Sequence, residues 1–127
     1  MWVPTLSVRV GFKHQVTPFT MPAVVDSGSP YCLFRQDVAD FLHINLQGAP
    51  GSYIGGVIMG AKDPIRFHQV NVIIESNWTI TVLAGFVKKL SVQAILGRGG
   101  FFDRFRVRFD HSKTIPEFEI TKIERPN

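Results

Sequence analysis

Residues 23–29 read Ala23-Val24-Val25-Asp26-Ser27-Gly28-Ser29. An apolar stretch that begins at Thr20 runs directly into a carboxylate, a small hydroxyl residue and a glycine. That approach predicts a strand delivering Asp26 to a partly buried position. A buried carboxylate is costly unless it is paired or hydrogen-bonded. Ser27 and the amides around Gly28 are the nearest donors, and Gly28 lets another backbone come close. Asp-Ser-Gly is also a common turn tripeptide. Alone, it is better read as a strand-ending turn than as a catalytic loop.

The flanking chain reads as short strands separated by turn residues. Upstream, Leu6, Val8, Val10 and Phe12 alternate with Ser7, Arg9 and Gly11, the pattern of a half-buried strand. Downstream, Tyr31 to Phe34 is a short apolar strand. Val38, Phe41 and Leu42 then place a helix over Arg35 to His43. Residues 48–60 hold Gly48, Gly51, Gly55, Gly56 and Gly60 around Tyr53-Ile54 and Val57-Ile58, which reads as a hairpin with a mobile tip. Ile65 to Ile74 and Trp78 to Ala84 are antiparallel strands turning at Glu75-Ser76-Asn77. Ala94-Ile95-Leu96 is a short buried strand that stops at Gly97. Arg98 to Phe105 reads as one or two helical turns. Phe105, Val107 and Phe109, then Phe118 and Ile120, mark two more strands. The fold class expected is mainly β, a barrel or sandwich with one or two short helices.

Composition sets the bounds. The chain has 127 residues, 45% apolar and 19% charged, which predicts one globular domain over 1–127. No apolar run reaches the roughly 18 residues of a membrane span. No cleavable secretory leader is read at the N-terminus. Cys32 is the single cysteine, so no internal disulfide forms, and a reducing, cytoplasmic location is the expectation. Cys32 lies in an apolar strand and reads as a buried inert thiol rather than a nucleophile. His14, His43, His68 and His111 are scattered, so no metal and no cofactor are expected. Net charge is +4. Arg104, Arg106 and Arg108 fall on one strand face. Asp103 and Asp110 flank them and no aromatic interleaves on that face, so a solvated face is expected and nucleic acid is not an expected partner. Asn77-Trp78-Thr79 fits a glycosylation sequon, with nothing else pointing to secretion.

Three signals in order narrow the reading. They are Asp26-Ser27-Gly28, the Tyr53-Ile54-Gly55-Gly56 hairpin, and Ala94-Ile95-Leu96-Gly97-Arg98 with the paired aromatics Phe101-Phe102. Together they resemble the retropepsin-like aspartic proteases, which are retroviral proteases and their cellular and bacterial relatives. The likeness spans Val8 to Asp110, and residues 94–110 (AILGRGGFFDRFRVRFD) are most similar to the bacterial members. The resemblance implies a single-lobe acid-protease barrel with a glycine-rich flap. It implies Asp26 as the catalytic aspartate, Ser27 as a lock between the two catalytic loops of a dimer, and Gly28 as a backbone contact to substrate. Tyr53, Ile54, Gly55 and Gly56 would form the flap tip. Ile95, Leu96 and Gly97 would buttress the Asp26 loop, while Arg98 would open a C-terminal helix and brace the interface.

One Asp-Ser-Gly per chain has a further consequence. Peptide hydrolysis of this type, the chemistry of the aspartic proteases themselves, uses two facing carboxylates that share one proton. The other acids, at positions 37, 40, 63, 75, 103, 110, 117, 119 and 124, lack that context, so the second carboxylate is expected from an identical chain across a two-fold axis. The expected function is an aspartic endopeptidase acting on polypeptide as a homodimer. The alternative is a catalytically silent, dimeric binding module on the same fold. The chain departs from the retroviral pattern in three places. Pro30 and Tyr31 stand where acidic residues usually follow the triplet, leaving Arg98 without an acidic partner from that loop. Tyr53 stands where many flaps have glycine. Residues 111–127 exceed a minimal member, and their alternation suits either a strand at the dimer interface or an edge strand within one subunit.

Overall fold

In a computed structural model that describes residues 2–48, 51–54 and 63–124, the chain is mainly β. Among the described residues, ten strands and one helix follow in order. They are β1 (Thr5–Phe12), β2 (Gln15–Val16), β3 (Met21–Val25), β4 (Leu33–Arg35), α1 (Gln36–Phe41), β5 (Gly51–Ile54), β6 (Asp63–Ile74), β7 (Trp78–Val87), β8 (Ala94–Leu96), β9 (Phe105–Asp110) and β10 (Glu117–Lys122).

β1 closes the barrel. Its first half, Thr5 to Val8, pairs antiparallel with β3, and its second half, Val8 to Gly11, pairs with β6. The ring then runs β1-β3-β8-β4-β7-β6 and returns to β1, with β2 and β5 attached outside it. Closure removes the unpaired edges that an open sheet of these strands would expose. Leu6, Val8 and Val10 point inward from β1, in line with their alternation. β9 and β10 form a separate two-stranded sheet within the chain, with Glu117 to Lys122 paired to Phe105 to Asp110. This is the one-lobed β barrel expected.

Two apolar clusters fill the structure. The main core contains Phe34, Phe86, Phe101 and Phe105 among its largest fully buried side chains. The rings of Phe101 and Phe105 stack at 5.1 Å, and Trp78 meets Phe105 edge-on at 5.5 Å. Each buried ring contributes about 1.5–3 kcal/mol relative to exposure. The second cluster is Leu33, Ile65, Phe67, Val87, Leu90 and Ile95. It explains why β7 alternates only as far as Ala84 and is then buried at four successive positions, Ala84 to Val87. There the strand has core on both faces. Gly85 makes room for this, because a Cβ at that position would stand 2.5 Å from Ile65 and 2.7 Å from Leu33.

Local turns follow familiar chemistry. Glu75 and Ser76 both adopt left-handed φ (52° and 58°), and the Asn77 amide donates to Ile74 at 2.9 Å. That is a mirror-image hairpin turn, matched to strand twist. α1 ends with His43 at φ 57°, its amide donating to Asp40 and that of Ile44 to Ala39. These paired bonds make a Schellman cap. Val38, Ala39 and Leu42 form the helix face turned to the core, whereas Phe41, expected on that face, is 46% exposed.

One expected element is absent. Residues 98–104 form turns rather than helix. The Phe102 and Asp103 amides reach back to Gly97 and Arg98, and those of Arg104 and Phe105 both donate to Phe101. Gly99-Gly100 is costly in a helix interior, and Gly100 sits at φ 107°, outside helical space. Arg98 therefore opens no helix.

Candidate active site

β3 and β8 run parallel, with Val25 beside Leu96, so both strands end at the same side of the barrel. Asp26 follows Val25 immediately, and its amide donates to the Leu96 carbonyl at 3.0 Å. The β8 pairing thus fixes where the aspartate leaves the sheet. On the other side the Val25 amide donates to Pro4 at 2.9 Å, which lays the N-terminal segment along the same exit.

The carboxylate is half-buried, as its apolar approach predicts. Its Oδ1 accepts the Gly28 amide at 2.8 Å. A Cβ on residue 28 would stand 3.0 Å from that oxygen, so glycine permits the close approach. The Asp26 carbonyl accepts the Ser29 amide at 3.1 Å, completing a tight turn. Ser27 is exposed, and its hydroxyl makes no hydrogen bond among the described residues.

The segment after β8 crosses the Asp26 loop backbone to backbone. The Arg98 amide donates to Ser29 at 2.8 Å and that of Gly99 to Pro30 at 3.0 Å. Tyr31 and Gly99 form a parallel bridge. Gly97 sits at the crossing, where an added Cβ would lie 2.1 Å from the Tyr31 carbonyl oxygen and 2.6 Å from that of Ser29. No side chain fits there. Leu96 is fully buried and Ile95 belongs to the second apolar cluster, so the strand beneath the loop is anchored on both faces. Arg98 itself is exposed and its side chain makes no ion pair among the described residues.

β5 pairs antiparallel with the start of β6, placing Tyr53 opposite Pro64 and Ile54 opposite Asp63. Gly55 and Gly56 lie outside the described residues. The base of this hairpin reaches the loop region, since Phe67 of β6 meets the Tyr31 ring edge-on at 4.8 Å. Ile65 of the same strand packs in one cluster with Ile95.

Several contributors escape a reading by motif. Ser29 is buried, and its hydroxyl donates to the Tyr31 carbonyl at 2.7 Å, holding the exit of the loop. Its place before Pro30 in a turn was the available signal. Gly85, a glycine inside an apolar strand, signals close approach in the same way. Pro4 carries no local signal, because its contact with Val25 is set by strand pairing. Cys32 is fully buried, and burial pushes its thiol up to about 11. Arg104 turns onto the Thr81 carbonyl, and Arg108 pairs with Glu119 at 2.9 Å, so the three arginines do not stand as an open row.

No family model matches the chain, and no curated protein matches it. Among solved structures it is similar to the EIAV protease complexed with the inhibitor HBY-793. That match has 18% identity and a TM-score of 0.48, and covers 76% of this chain and 83% of that one.

A groove of about 310 Å³, lined in part by Phe19, Met21, Arg35, Asp37 and Phe41, opens elsewhere. Met21 starts β3 and Gln93, also on its wall, precedes β8. This groove therefore lies at the opposite ends of the strands that deliver Asp26. Among the described residues no cluster of His, Cys, Asp or Glu suits a metal ion, and no helix is long and apolar enough to cross a membrane.

Proposed function

We propose that this chain is one half of an aspartic endopeptidase that hydrolyses polypeptide as a homodimer. The observation that carries the reading is the seat of Asp26. Its carboxylate stands at the shared end of two parallel strands, held by a glycine amide, on a loop crossed backbone to backbone by the segment after Leu96. Such a seat restricts the carboxylate's orientation before any substrate arrives, which is what acid–base catalysis needs.

A single carboxylate gives half the chemistry. When two meet across a two-fold axis they cannot both ionise, and the pair titrates as a unit. The ionised member takes a proton from water, which attacks the scissile carbonyl carbon. The protonated member donates to the carbonyl oxygen, giving a gem-diol. The C–N bond then breaks. The member that took water's proton passes it to the leaving amine nitrogen, and the other member takes back a proton from a gem-diol hydroxyl. In this reading Ser27, exposed next to Asp26, bonds the partner loop. Gly28 offers backbone to an extended substrate, which binds through its main chain as an added strand. Tyr53, Ile54, Gly55 and Gly56 form the covering flap. Ile95, Leu96 and Gly97 hold the loop from below, and Arg98 braces the interface. The same proposal places the protein in the cytoplasm, on the strength of its single buried thiol.

Asp26→Asn tests the reading. We expect peptide cleavage to fall by at least about 10²–10⁴-fold, the usual worth of a positioned acid or base, with an unchanged thermal melt. Wild-type rates in that variant would remove Asp26 from the mechanism. A dimeric wild type that cleaves nothing would instead leave a binding module.

A further inference from the structure

We infer that the groove at the far end of the barrel binds a short apolar zwitterion, a free amino acid or dipeptide whose amine meets Asp37 and whose carboxylate meets Arg35. The inference goes beyond the peptidase reading and does not depend on it, because the groove opens at the ends of β3 and β8 opposite Asp26.

Two phenylalanines that the core leaves out line this groove. Phe41 is 46% exposed and Phe19 is 59% exposed. Met21 and Val38, both buried, line it with them. Asp37 and Phe41 stand four apart on α1, so they are neighbours on one helix face. The aromatic wall and the carboxylate therefore share one surface. A cavity of about 310 Å³ lies at the small end of ligand pockets, with room for one or two residues rather than a folded element.

Two opposite charges select the ligand. Arg35 ends β4, and its Nε donates to the Leu90 carbonyl at 3.0 Å while its Nη2 donates to that of Ser91 at 3.4 Å. Neutral carbonyls orient the guanidinium without cancelling its charge. Its Nη1 makes no hydrogen bond among the described residues and remains a donor. The Asp37 carboxylate has neither an ion pair nor a hydrogen bond among the described residues. A cation and an anion thus line one groove without pairing to each other. An apolar anion entering it meets Asp37, and an apolar cation meets Arg35, so each is opposed by a like charge. A zwitterion satisfies both, and its side chain covers Phe19 and Phe41. Asp40, Lys88 and Lys89 lie on adjoining segments but do not line the groove.

The test is an NMR titration of the full chain, carried on Asp26→Asn so that no peptide is cleaved. The probes are L-phenylalanine and leucyl-phenylalanine, with N-acetyl-phenylalanine and phenylalaninamide as singly charged counterparts. We expect saturable shifts at Val38 and Phe41 with a zwitterion, and affinity lower by about tenfold or more for each singly charged form. The tighter of the two zwitterions identifies the source as free amino acid or peptide fragment. Asp37→Asn should erase the preference for a free amine over its acetylated form and keep the preference for a free carboxylate over its amide. Phe41→Ala, at an exposed position, should weaken all probes alike. Absence of saturable shifts, equal binding of the singly charged forms, or an unchanged amine preference in Asp37→Asn would overturn the inference. Shifts at the same residues on raising protein concentration without ligand would give the groove to a second copy and overturn it as well. None of these outcomes bears on Asp26, whose role stands or falls on peptide cleavage.

Discussion

Asp26 and Cys32 are close in sequence and have opposite surroundings. Asp26 sits where two strands end, half-open, with an amide aimed at one oxygen. Cys32 is fully enclosed, and burial raises its thiol from 9.0 to about 11. Between those values the unfolded chain releases a proton that the folded chain keeps. Stability is therefore fully present below pH 9 and declines as pH rises toward 11. The total loss is about 3 kcal/mol. Urea melts at intervals from pH 8 to 11 should show this decline in wild type and lack this component in Cys32→Ala, whose curve starts lower at pH 8 because of the cavity and converges on wild type as pH rises. Parallel curves would show that the thiol titrates alike in both states. The inertness of Cys32 was legible from its apolar neighbours. The bond from Val25 to Pro4 was not, because it joins residues brought together only by sheet register.

Elements were read well where hydrophobic period and turn chemistry agreed. β1, β6 and β7 each alternate along part of their length, and Glu75-Ser76-Asn77 turns as expected. The segment after Arg98 shows how the same reasoning misleads. Phe101 and Phe105 stand four apart and stack in the core, as two residues on one helix face would. A chain of turns satisfies that spacing equally well, and Gly99-Gly100 was the counter-signal. The two readings give opposite signs for Gly100→Ala. In a helix, alanine would stabilise by up to about 1 kcal/mol. Here φ is 107° and the new Cβ would meet Val82 at 2.8 Å. We expect destabilisation of about 1–3 kcal/mol, seen as a lower urea midpoint at constant slope. A higher midpoint would restore the helix.

For the molecule as a whole, a β barrel was legible from many short strands, but the way it closes was not. Closure depends on β1 changing partner at Val8, from β3 to β6, and no residue type announces such a handover. The proposed site was likewise named by motif, and in that proposal each chain supplies one Asp26. In the proposed homodimer, sharing a site ties activity to concentration. Far below the dimer dissociation constant the dimeric fraction is proportional to total protein, so tenfold dilution should lower specific activity about tenfold. Dilution alone has other causes, such as loss to surfaces, so subunit mixing supplies the control. Adding Asp26→Asn chains in about ninefold excess, above the dissociation constant, leaves about one dimer in a hundred with two aspartates by random pairing. The pool is then about ten times larger, so wild-type activity should fall about tenfold although every wild-type chain is still present. An enzyme complete within one chain would keep its full rate in that mixture, whatever its concentration.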